Sequence, residues 1–131
     1  MRLQSWKGNV LVEFAVILPV FLAILFGTVS FSLALYNKTV LTMATREGAR
    51  AGAMYVQDQA DSSIVSTART TAELVCQNNL VSFAPGMIPT VTPTITGDIL
   101  TVSARVTYTG LFIFVDVSDV LISAQTSMRI E

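Results

Sequence analysis

The sequence predicts an α+β protein: a long N-terminal helix that begins in a membrane, then a second helix, then a small three-stranded antiparallel sheet. Three observations lead there. Residues 14–36 carry no charge, residues 37–79 place small and apolar side chains at helical spacing, and from Thr94 onward the period changes to two. Helical faces recur at i, i+3, i+4 and i+7 whereas strands alternate, so the change of period marks a change of element.

The uncharged run from Phe14 to Tyr36 is 23 residues long. At about 1.5 Å per residue such a run crosses the roughly 30 Å hydrocarbon core of a bilayer. It exceeds the 7–15 apolar residues typical of a secretory signal, and Val29 to Leu35, which contains Phe31 and Leu33, offers no small-x-small cleavage site, so a retained anchor is expected. The chain then divides into a short leader (1–8), an anchor helix (9–36) and one small α+β domain (37–131) of 95 residues. Arg2 and Lys7 flank one end of the span, while Lys38, Arg46 and Arg50 flank the other, so basic residues are nearly balanced across it.

Beyond Tyr36 the helix is expected to continue. No proline interrupts Asn37 to Tyr55, and Ala44, Gly48, Ala51, Gly52 and Tyr55 form a narrow stripe of mostly tiny side chains. A glycine inside a helix costs about 1 kcal/mol relative to alanine, which argues for a close approach at this stripe. Arg46, Glu47 and Arg50 lie on a polar face, with Glu47 placed to pair with Arg50. Asp58 to Asp61 breaks the pattern, and Asp61 is a candidate N-cap for the second helix. Ile64, Val65, Ala68, Ala72, Val75 and Cys76 then share one face, opposite Ser66, Arg69, Thr70 and Glu73, and the helix should end near Asn78 and Asn79. Pro85, Gly86, Pro89 and Pro93 turn the next stretch into a loop that becomes extended.

Leu100, Val102, Ala104, Val106 and Tyr108 alternate with polar residues and give a strand with one buried face. Gly97 and Asp98 join it to Val91–Ile95 as a hairpin, and Pro93 marks that first strand as an edge. The last strand carries Ile122, Ala124, Met128 and Ile130 on one side and Ser123, Gln125, Ser127 and Arg129 on the other. Between these strands Leu111 to Val115 is a run of five apolar residues, either tucked under the sheet or exposed as a docking patch.

Composition narrows the function. Net charge is −1, with eight Lys and Arg, nine Asp and Glu and no clustered basic block, so nucleic acid is not an expected partner. There is no His, and the single cysteine, Cys76, cannot form an internal disulfide; it reads as a buried small hydrophobe or as an intermolecular thiol. The scattered carboxylates supply no paired base, no activated nucleophile, no metal set and no cofactor site. Asp116 and Asp119 read as turn residues rather than a cation site.

The notable chemistry lies at Gly8 and Glu13. A carboxylate at the mouth of an apolar span costs up to about 2.5–3.5 kcal/mol, less near the interface, and calls for a compensating partner. If a protease cuts after Gly8, Asn9 becomes the first residue and Glu13 the fifth, one helical turn apart, so a free α-ammonium and a carboxylate lie at the same end of the span. In a lone subunit the carboxylate is poorly satisfied; beside a second subunit it can accept a charge-assisted bond from that neighbour's terminal amine. Pro19 removes one backbone hydrogen bond, to the carbonyl of Ala15, and loosens the helix locally.

The stretch from Gly8 to Pro19, Gly-Asn-Val-Leu-Val-Glu-Phe-Ala-Val-Ile-Leu-Pro, resembles the N-terminus of TadE-like proteins, minor pilins of the tight-adherence (Tad) branch of type IV pilus systems. Arg46 to Gly52 resembles the family's second signature, and Ser123 to Glu131 is similar to its closing strand. The resemblance implies an inner-membrane prepilin with a cytoplasmic N-terminus and a periplasmic domain. It implies cleavage between Gly8 and Asn9 by prepilin peptidase, with Glu13, Phe14 and Pro19 serving assembly. The implied partners are the major and other minor pilins and the Tad assembly platform, in pili used for adhesion and biofilm formation. Asn9 departs from the Phe or Met with which many type IV pilins begin. From the residues alone, a monomeric membrane-anchored binding module that uses the Leu111–Val115 patch is the alternative.

Overall fold

The computed structural model describes residues 5–54, 60–83, 86–110 and 120–130, with side chains from Val10 onward. Tyr55, Asp58, Pro85, Leu111 to Val115, Asp116 and Asp119 lie outside the described residues, as do the side chains of Lys7 and Asn9. The chain is an α+β protein of two helices and one sheet: α1 (Ser5–Ala53), α2 (Asp61–Asn79), β1 (Thr90–Thr96), β2 (Ile99–Tyr108) and β3 (Val120–Arg129).

Helix α1 has 49 residues and runs without a break through Pro19 and past the end of the apolar run. From residue 10 to 29 no side chain is buried, and Val10, Leu11, Val12, Phe14, Val16, Val20, Phe21 and Ile24 are all exposed. Burial begins at Ser30 and continues through Asn37, Val40, Leu41, Ala44, Thr45 and Ala49. One helix therefore does two things: its first half is uncovered, and its second half is the central strut of the domain. On either side of Ser30 two hydroxyls are satisfied by their own helix, Thr28 donating to the carbonyl of Ile24 at 2.8 Å and Ser32 to that of Thr28 at 2.9 Å.

Helix α2 packs along the second half of α1 through Ile64, Ala68, Ala72 and Cys76, a row spaced four residues apart. Its N-cap is Ala60, not Asp61 as the sequence suggests. The reason is backbone geometry: Ala60 is the extended residue (φ −70°, ψ 145°) whose carbonyl accepts the amides of Ser63 and Ile64. Asp61 already belongs to the first helical turn, where its charge still favours the helix dipole.

The sheet is antiparallel, in the order β1-β2-β3. Thr96 pairs with Ile99 across a two-residue connection, Gly97-Asp98, and Gly97 adopts φ 59°, a left-handed conformation natural to glycine in tight hairpins. Pro93 lies on edge strand β1, consistent with its missing amide donor. The alternation read from β2 holds: Leu100, Val102, Ala104, Val106 and Tyr108 are buried against the helices, with Val91, Ile122 and Ala124 beside them.

Strand β3 runs alongside α1 in the same direction. Thr45 meets Thr126, with 2.9 Å between their hydroxyl oxygens, and seven residues earlier Lys38 donates to the backbone carbonyl of Ser123. Seven helical residues and three strand residues both advance about 10 Å. Counting back from Ser123 by about 3.4 Å per strand residue puts Leu121 level with residues 33–34 of α1.

Candidate functional site

The candidate site is α1 itself, read from its N-terminal end to the point where the domain closes around it. Gly8 is the fourth residue of the helix. Glu13 follows among exposed apolar neighbours, with Val12 64% and Phe14 61% accessible, and forms no ion pair among the described residues. Phe14 and Pro19 share the uncovered stretch. Helix α1 is long and apolar enough to cross a membrane.

Further along, Ala44, Gly48 and Gly52 face α2 and the sheet, while Ala51 is half-buried at the margin. A Cβ built on Gly48 would stand 2.7 Å from the carbonyl oxygen of Ala68 and 2.9 Å from the Cβ of Ala72. On Gly52 it would stand 2.6 Å from Leu100 Cδ2 and 2.9 Å from the Cβ of Ala68. The close approach implied by the small-residue stripe is thus made by α2 within the same chain. The buried seam also includes Leu41, Thr45 and Ala49, which complete an i, i+3, i+4 pattern that the glycines only half reveal. Arg46, Glu47 and Arg50 remain exposed on the other side, and Glu47 and Arg50 do not form the pair their spacing allows.

Three polar residues fix the domain to the helix, and the sequence reading passed over all of them in this role. Asn37 is fully buried; its side-chain amide donates to the carbonyl of Val81 at 2.7 Å, and its Oδ1 accepts the amide of Val81 at 3.1 Å. It acts as a two-point clamp on the segment that leaves α2, satisfying backbone groups that have no strand partner. Thr45 bridges to Thr126 and also donates to the carbonyl of Thr42 at 3.0 Å. Lys38 reaches the carbonyl of Ser123. Their β3 partner Thr126 carries a signal in the sequence, because it falls in step with Ile122, Ala124 and Met128 on the inner face of β3.

Cys76 lies in the core, fully buried, with its thiol pushed up to about 11 by burial and secondarily by the nearby Glu73 carboxylate. Such a thiol is a packing group, closed to a partner's cysteine while the domain is folded. Burial also raises the Tyr108 phenol, whose hydroxyl is buried and has no hydrogen-bond partner among the described residues. Among the described residues no group of three or more His, Cys, Asp or Glu side chains could hold a metal ion.

The sequence model of a family described as TadE-like protein matches residues 8–50, which takes in Gly8, Glu13, the whole uncovered span and the first part of the packed seam. No curated protein and no solved structure matches the chain.

Proposed function

We propose that this chain, TadE-like over residues 8–50, is a minor pilin or pseudopilin of a Tad-type pilus, a structural subunit and not a catalyst. In this reading residues 1–8 are a cytoplasmic leader, prepilin peptidase cuts between Gly8 and Asn9, and residues 9–36 anchor the protein in the inner membrane. The domain then stands on the periplasmic side until the subunit joins a filament with the major and other minor pilins. The pilus serves adhesion and biofilm formation.

The observation that carries this reading is the carboxylate of Glu13, without an ion pair among the described residues, one turn from the new N-terminus on a helix of which residues 10–29 are not buried. Within lipid an isolated carboxylate is costly, and a neighbour's terminal ammonium offsets that cost only when both helices are docked in one register. Polymerisation therefore gains from the feature that burdens the monomer. Pro19, by freeing the carbonyl of Ala15, leaves the helix able to adjust as it leaves lipid for a filament.

The test is N-terminal sequencing of the protein from membranes and from sheared surface fractions. Wild type should begin at Asn9 in both, Gly8→Leu should stay full length in the membrane, and Glu13→Gln should insert well yet vanish from the sheared fraction. Surface incorporation of Glu13→Gln at the wild-type level would remove the reason for the reading and favour a monomeric anchored binding module.

A further inference from the structure

The base of the domain carries an apolar groove of about 460 Å³ between α1 and the membrane-proximal end of the sheet. Phe31, Ala34 and Leu35 form one wall, Tyr108, Leu121 and Ile122 the other, and Lys38 stands at the rim farther from the anchor. Phe31 is 65% and Leu121 63% exposed, and the two line one groove, so this is a contiguous apolar surface and not scattered single residues.

From these features we infer that the groove is a lipid seat: the domain base rests in the headgroup layer and holds part of a bilayer phospholipid against α1. Depth is the first support. The uncovered residues 10–29 span about 30 Å, a full hydrocarbon thickness, so a hydrocarbon layer that coincides with the uncovered stretch, rather than with the whole uncharged run, leaves residues 30–36 in the interfacial layer. The register of β3 on α1 sets Leu121 at residues 33–34, inside that same layer. The sheet end is therefore immersed to the depth of ester and phosphate groups, not held clear of the membrane.

Chemistry is the second support. The walls suit an acyl chain, Lys38 offers an ammonium with donors left over after its bond to Ser123, and anionic phosphate is the group that complements it. Tyr36, half-exposed just above, belongs where tyrosines collect at membrane interfaces. The proposal requires α1 to span a bilayer but not to assemble into a filament.

The full chain carrying Trp6→Phe, which removes the single tryptophan, would receive one new tryptophan at Leu121, Phe21 or Thr96 and be placed in nanodiscs of phosphatidylcholine and phosphatidylglycerol. Lipids brominated near the ester end of the acyl chain report lipid contact, and iodide reports water. The Leu121→Trp protein should lose most of its emission to the brominated lipid and little to iodide, while Thr96→Trp at the far hairpin should do the reverse. Quenching of Leu121→Trp by iodide, with Phe21→Trp still quenched by lipids brominated deeper in the chain, overturns the lipid seat and leaves the anchor standing. Shielding of Leu121→Trp from both quenchers means protein covers the groove and also overturns it. Absence of lipid quenching at Phe21→Trp would remove the anchor and the seat together.

Discussion

Gly48 shows how one missing methyl group sets the distance between two helices. The atom nearest to its absent Cβ is a backbone oxygen, that of Ala68, which cannot rotate away. Alanine would raise helix propensity by about 1 kcal/mol, but forcing the helices apart costs typically 1–3 kcal/mol, so the overlap should win. Gly48→Ala is expected to lower the thermal midpoint, followed by circular dichroism, whereas Gly27→Ala, where nothing lies within 4 Å, should not. Cys76 illustrates the electrostatic side of burial. Burial moves its thiol from an ordinary 9.0 to about 11, so the folded state holds the proton more tightly. Stability from this source is complete below pH 9, declines as pH rises and is lost by passage through about 11. Thiolate absorbance in the folded protein should appear about two pH units later than after denaturation.

At the scale of elements, α2 is held by packing more than by its ends. Four buried residues face α1 and the sheet, yet its N-cap is an alanine without a side-chain acceptor. Ala60 already has the extended backbone that a capping residue needs, so Ala60→Ser or Ala60→Asp should stabilise the protein by about 0.5–2 kcal/mol, read from denaturant midpoints. The exposed Asp98–Arg129 pair at 3.7 Å, by contrast, joins groups that are 76% and 79% accessible, and adds little to the hairpin.

For the whole molecule, the decisive fact is that the anchor and the core strut are one helix. Leu41, Ala44 and Ala49 belong to the same hydrophobic core as Ile64, Leu100 and Val106, so the sheet and α2 have no closed core without α1. A fragment of residues 30–131 should fold as a soluble domain, with cooperative thermal unfolding. A fragment of residues 54–131 should not, because it exposes the apolar faces of α2 and β2 together. Continuity has a functional consequence as well. Any force or register shift applied to the span at Glu13 reaches the domain through an unbroken helix rather than a flexible linker.

Much of this was legible along the chain. The uncharged run, the i, i+3, i+4 spacing of α2 and the strict alternation of Leu100 to Tyr108 are periodic signals, and periodicity is written in one dimension. Glu13 and Gly8 could be found for the same reason, since a charge beside an apolar run needs no partner to be conspicuous. What the chain could not reveal were meetings between distant residues: Asn37 with Val81, Thr45 with Thr126, Lys38 with Ser123, and α2 rather than another subunit in the cleft of Gly48 and Gly52. Those depend on how far two elements advance per residue once they lie side by side, a quantity that exists only after packing has fixed their direction and register.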